Sequence, residues 1–137
     1  MSSPIQDPWR PTALTPATIE DLYHRWMQLR NRRPELAVDL VTGDFALFSG
    51  AGKVGDAHGP SELADLIEQQ AETDDPPAFT IHRQPVVDPA RGHVAFLWTA
   101  ETRADGALVG GVDLLDVGGA GRFARAWSLT GARSFRY

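Results

Sequence analysis

Residues 110–127 read GGVDLLDVGGAGRFARAW. An apolar strand, a turn made almost wholly of glycine and a second strand predict a β-hairpin. Asp113 stands near the middle of the first strand, beside Val112, Leu114 and Leu115. A carboxylate there is either solvated on a sheet face open to water or to a second subunit, or it is held in a pocket. Turn chemistry gives a register with which to choose. If Asp105-Gly106 is a two-residue hairpin turn, Ala104 pairs with Ala107. Trp98 then lies opposite Asp113, and Phe96 opposite Leu115. A three-residue loop within GGAG places Trp127 opposite Asp113 and Arg125 opposite Leu115, and a one-residue slip would carry that whole strand to the other face. Side chains alternate, so Gly111, Asp113, Leu115 and Val117 share one side. Tryptophan prefers burial, and both neighbouring strands bring one to the face of Asp113, which favours the pocket. Desolvation there would raise the carboxyl pKa and Arg125 would lower it.

Upstream of this hairpin the period of the sequence changes. Residues 1–14, MSSPIQDPWRPTAL, hold three prolines and no period, and read as a flexible tail. Thr15-Pro16 supplies an N-cap and a proline at the first helical position. Ile19, Leu22, Tyr23, Trp26 and Leu29 follow at helical spacing, and the helix should stop before Pro34. A short second helix is expected over 34–41, ended by Gly43. Residues 45–49 are a strand candidate and 50–59, GAGKVGDAHG, a glycine-rich loop without the ending of a phosphate loop. A third helix is expected from Pro60 to about Gln70, and ETDDPP (72–77) as a linker. Strands are then expected over 79–87, 93–103, 108–117 and 123–135, separated by DPARG, ADG and GGAG. Helices first and an antiparallel meander last predict an α+β fold over residues 15–137, with the helices on one face of a curved sheet.

The chain has 137 residues, 42% hydrophobic and 23% charged, with net charge −5 and no cysteine. Those values suit one soluble domain and exclude a disulfide scaffold, a thiol nucleophile and thiolate metal sites. Without a basic run, neither nucleic acid nor a membrane surface is an expected partner. Arg30, Arg32 and Arg33 form the single basic cluster, read as interaction with the dipole of the first helix rather than as a phosphate site. No apolar run is long enough to span a membrane and no signal-peptide core follows Met1, so the expected compartment is the cytoplasm. The four histidines lack metal-ligand spacing, and no metal or cofactor is expected.

The LYHRW helix, NRRPELAVDLV, the GPSELADLI helix, and above all GVDLLDV followed by RFARAW resemble the SnoaL-like branch of the nuclear-transport-factor-two-like superfamily. The match in element order runs from about Thr15 to Arg136. The resemblance implies a cone: three N-terminal helices packed on a strongly curved, mainly antiparallel sheet around an apolar cavity, commonly in a homodimer formed through the sheet. The superfamily includes polyketide cyclases, ketosteroid isomerases, limonene epoxide hydrolases and pocket proteins without known chemistry. By this likeness Asp113 is the pocket acid. The position of the ketosteroid isomerase base falls on Ser49. The arginine and second acid of the epoxide hydrolase set fall on Gly111 and near Leu129, with Arg125 a conceivable substitute for the arginine.

The expected function is therefore that of a cofactor-free cyclase or isomerase acting by general acid/base chemistry on an apolar, oxygenated, polyketide-like substrate. Asp113 would move the proton, while Trp98, Trp127, Tyr23, Trp26, Arg125, Leu115, Phe96 and His58 would line the site. A non-catalytic small-molecule-binding or dimeric assembly module on the same fold is the alternative, since a second carboxylate is missing. Asp56 and His58 could form an acid–base pair near the cavity mouth, although loop residues of this kind are more often solvated turn formers. Tyr23 and Trp26 complete a helical apolar stripe and read first as core.

Overall fold

The computed structural model describes residues 14–50, 55–72, 76–101 and 108–131. Helix α1 spans Pro16–Arg30, and its first turn is held by Thr15, whose Oγ1 accepts from the backbone N–H of Thr18 at 3.1 Å. Asn31 closes the helix three residues before Pro34. A 3₁₀ turn at Pro34–Leu36 leads into the short α2, Ala37–Leu40, and then directly into strand β1, Val41–Ser49. Gly43 thus lies inside a strand rather than ending a helix, because Val41 already takes the extended backbone of β1. Strand β2, Ala57–His58, was not apparent from the sequence and is only two residues long. Helix α3 spans Gly59–Ala71.

The remaining strands are β3 (Ala78–Ile81), β4 (Val86–Asp88), β5 (His93–Glu101), β6 (Leu108–Val117) and β7 (Phe123–Thr130). One strand expected over 79–87 is two, interrupted near Arg83, whose φ of 80° lies in the left-handed region that breaks a strand. Residues 1–13 of the tail expected over 1–14, residues 102–103 of the strand expected over 93–103, the Asp105-Gly106 turn and residues 132–135 of the last strand candidate lie outside the described residues. Leu14 packs against the core.

The described strands form one open sheet in the order β2-β1-β7-β6-β5-β3, with β4 also paired to β5. All pairings are antiparallel except β1 with β7. The three helices cover the inner face of this curved sheet, giving the α+β cone. Ile19, Leu22, Tyr23, Trp26 and Leu29 of α1 are buried with Phe45, Phe96, Trp98, Leu115 and Phe123 of the strands. The Trp26 ring lies 6.1 Å from that of Phe45 and 5.8 Å from that of Phe123.

Two registers differ from the hairpin arithmetic, with opposite consequences. Asp113 pairs with Phe96, and Trp98 with Gly111, a shift of two residues that leaves Trp98 on the face of Asp113. The indole requires this partner: a Cβ on Gly111 would come within 2.1 Å of Trp98 Cζ2. In the second hairpin Val117 pairs with Phe123 but Asp116 with Arg125, so Ala124 is an extra residue, a β-bulge. Beyond it every pairing slips by one. Asp113 faces Ser128, and Trp127 faces Leu114. Trp127 and Arg125 therefore stand on the outer face, where Trp127 stacks on Phe48 at 5.7 Å between centroids. They neither flank Asp113 nor supply its cation.

Candidate functional site

Asp113 is fully buried, at 0% exposure, in the middle of β6. Burial of an isolated carboxylate is prohibitive, and the fold brings three donors to it. Trp26 Nε1 donates to Oδ2 at 2.8 Å, Arg30 Nη1 to Oδ2 at 2.8 Å, and Trp98 Nε1 to Oδ1 at 2.8 Å. None of the three partners can accept a hydrogen bond, so a proton on Asp113 would have no acceptor among them. The arrangement suits a carboxylate.

The cation comes from α1. Trp26 and Arg30 are four residues apart and share a helix face, so one turn aims both at β6. Arg30 also donates from Nη1 to Ser128 Oγ at 3.1 Å. Its guanidinium lies over the Phe79 ring, 4.3 Å from the centroid, and 5.1 Å from that of Trp98. Phe79 is fixed in turn by Asn31. The side-chain Nδ2 donates to Phe79 O at 2.9 Å, and Oδ1 accepts from Phe79 N at 2.7 Å, so the amide acts as one more strand for β3.

Above this cluster the described residues enclose two neighbouring lobes between helices and sheet. The first, about 410 Å³, lies between α3 and the sheet, against Leu47, Leu63, Leu66 and Ile67, with Ser49 and Ser128 as polar points. The second, about 340 Å³, lies between β3 and the start of β6, against Pro77, Phe79, Trp98, Ala100 and Val109. Arg30, Gln70 and Thr130 line both. Among the described residues lining either lobe there is no aspartate, glutamate, histidine, lysine or tyrosine.

Of the residues singled out from the sequence, the fold brings Asp113, Trp98 and Trp26 into one hydrogen-bonded cluster. Phe96 and Leu115 are buried beside it, and Tyr23 packs on Phe96 with ring centroids 6.3 Å apart. Burial, and secondarily the charge of Glu20, push the Tyr23 phenol above its ordinary value. Arg125 and Trp127 are on the opposite face. His58 is exposed just before α3, its backbone N–H bonded to Glu62 Oε1 at 3.1 Å. Asp56 accepts from the backbone N–H of Ser49 at 2.8 Å, which ties the loop to β1.

Arg30 is the residue that sequence reasoning missed. Read with Arg32 and Arg33, it looked like a charge at a helix end. The available signal was its spacing: Ile19, Tyr23, Trp26 and Arg30 form one stripe at intervals of three and four, and an arginine on an apolar stripe needs a buried partner.

No family model and no curated relative matches the sequence. Solved structures do. A protein of unknown function with a cystatin-like fold from Methylobium petroleophilum PM1 superposes with a TM-score of 0.76 at 14% identity, over 90% of this chain and 82% of that one. A proposed isomerase of the SnoaL-like family from Agrobacterium tumefaciens gives 0.70 at 15% identity, over 85% and 99%. A protein with a ketosteroid isomerase-like fold from Catenulispora acidiphila, solved with trimethylamine, gives 0.65 at 13% identity, over 84% and 86%. At such identities the likeness is one of fold. The chain thus has the cystatin-like cone shared by SnoaL-like, ketosteroid isomerase-like and nuclear-transport-factor-two-like proteins.

Proposed function

We propose that the protein is a small-molecule-binding cone that holds an apolar ligand in its two-lobed cavity without using Asp113 to transfer a proton. The observation that carries this reading is the commitment of Asp113. It is sealed from both lobes beneath Trp26, Arg30 and Trp98, and every partner is a donor. General acid–base catalysis needs a titratable group within hydrogen-bond reach of the reacting atom. The described lining offers hydroxyls, amides and one guanidinium instead. The volume and the apolar walls suit a small ligand.

The second reading is a cyclase or isomerase acting on an apolar oxygenated substrate. The fold shared with the Agrobacterium protein favours it, as does Arg30, which could polarise a carbonyl where the lobes meet. Titration with decanol, followed in amide NMR spectra, tests the binding reading. Shifts at Leu47, Leu63, Ile67 and Ser128 are expected. Their absence with decanol, and with decanoate in its place, would overturn the pocket reading. Turnover of a cyclisable polyketide-like enone that persists in Arg30→Lys but ceases in Asp113→Asn would put proton transfer by Asp113 in its place.

A further inference from the structure

We infer that the ligand is an apolar monocarboxylate whose carboxylate is received by the Nε–Nη2 edge of Arg30. This rests on the small-molecule-binding reading above. Both protons of Arg30 Nη1 are used, one on Asp113 Oδ2 and one on Ser128 Oγ. Nε and Nη2 have no partner among the described residues. Yet no fully enclosed side-chain polar atom there lacks a partner, so these two nitrogens are not sealed in protein. Arg30 lines both lobes, the open space beside its side chain among the described residues.

The edge is a flat pair of parallel donors, the geometry that matches the two oxygens of a carboxylate. It is also held in advance. The guanidinium is tethered at Nη1 and set against the rings of Phe79 and Trp98, so little freedom remains to be lost on binding. Asp113 does not occupy the same edge, because it takes only Nη1 of the Arg30 nitrogens and is otherwise held by the two indole N–H groups. No acidic side chain lines either lobe among the described residues, and Asp113, the nearest carboxylate, is held by three donors.

The same lining limits the ligand. Beyond Arg30 the larger lobe is walled mainly by Leu47, Leu63, Leu66 and Ile67, and its remaining polar groups, on Ser49, Gln69, Gln70, Ser128 and Thr130, are uncharged. A second negative group would rest there with no second cation, so a dicarboxylate or a phosphate dianion is disfavoured. One carboxylate on a hydrocarbon body fits both parts.

The test is calorimetric titration of the full chain at neutral pH with decanoate, decanol and methyl decanoate, which share one hydrocarbon body. Decanoate should bind at least about tenfold more tightly than either neutral probe, the advantage of a charge-assisted pair. In Arg30→Lys, which keeps the charge and loses the fork, the ratio of decanoate to decanol affinity should fall towards one. If that variant fails to fold, Arg30→Gln combined with Asp113→Asn removes both charges together and should give the same fall. Equal affinities in the unaltered protein, or a ratio unchanged in the folded variant, would overturn the carboxylate inference and leave the binding reading standing. Failure of all three probes to bind would overturn that reading and the inference with it.

Discussion

Arg30 Nη1 lies 2.8 Å from Asp113 Oδ2, joining the last residue of α1 to the middle of β6 across 83 positions of sequence. The side chain of Asp113 is 0% exposed and that of Arg30 only 11%, so the pair is screened little by water. Such a pair gains little over an apolar replacement of both partners, but removing one of them strands the other. The cluster is thus a strict positional constraint. It sets the azimuth of α1, points two indoles inward and leaves one edge of a guanidinium without a partner among the described residues.

Asp113→Ala should destabilise the protein by about 3–5 kcal/mol, because Arg30 and both indole N–H groups lose their acceptor in a buried site. Asp113→Asn keeps an acceptor oxygen and should cost less. Equilibrium urea denaturation compares the two, and equal losses would contradict the hydrogen-bonded role assigned to the carboxylate.

Gly111→Ala should displace the Trp98 indole, since the added Cβ would sit 2.1 Å from Cζ2 and 2.6 Å from Leu129 O. Overpacking of this kind costs about 1–3 kcal/mol. The near-ultraviolet circular dichroism of the tryptophans should change with it. An unperturbed spectrum and unchanged stability would mean that Trp98 does not lie over Gly111.

Asn31→Ala should loosen β3 at the rim of the second lobe. Both hydrogen bonds to the Phe79 backbone vanish, and the Phe79 amide loses its acceptor. Hydrogen exchange at that amide should accelerate by at least about fivefold, following loss of a bond worth about 1 kcal/mol or more. Exchange at Phe96, in the middle of β5, should change far less.

Tyr23 gives the pH dependence. Its folded-state pKa is raised, chiefly by burial, so the neutral phenol is the form the fold favours. That contribution is fully present below the ordinary tyrosine value of about 10 and is lost as pH rises through the higher folded value. Stability should therefore fall on the alkaline side, and Tyr23→Phe should remove this part of the decline. An identical alkaline profile for Tyr23→Phe in thermal melts would contradict the assignment.

The legible part of the sequence was the local part. Thr15-Pro16 fixed where α1 begins, and Pro34 required it to stop, because a cap and a missing N–H act within one turn. The stripe through Ile19, Tyr23 and Trp26 gave its buried face, and the period change after residue 77 gave helices before strands. Trp98 and Asp113 were placed on one face correctly even though the register was two residues off. A shift by an even number keeps side chains on the same side.

What only the tertiary structure decided was everything that depended on adding one residue or on joining distant ones. The bulge at Ala124 occupies one position, yet it turned Trp127 and Arg125 to the outer face and brought Ser128 opposite Asp113. Strand parity reverses with each inserted residue, and nothing in GGAGRFARAW states how the turn divides its residues between loop and ladder. Likewise the partner of Asp113 could not be read from its neighbours in the sheet. It is Arg30, supplied by a helix that packs across the strands, and its selection depends on the angle at which α1 crosses β6. Sequence spacing fixes faces and caps because these are short-range geometry. The pairing of a buried charge with its counterion is set by packing, where the cost of leaving either one alone selects the arrangement.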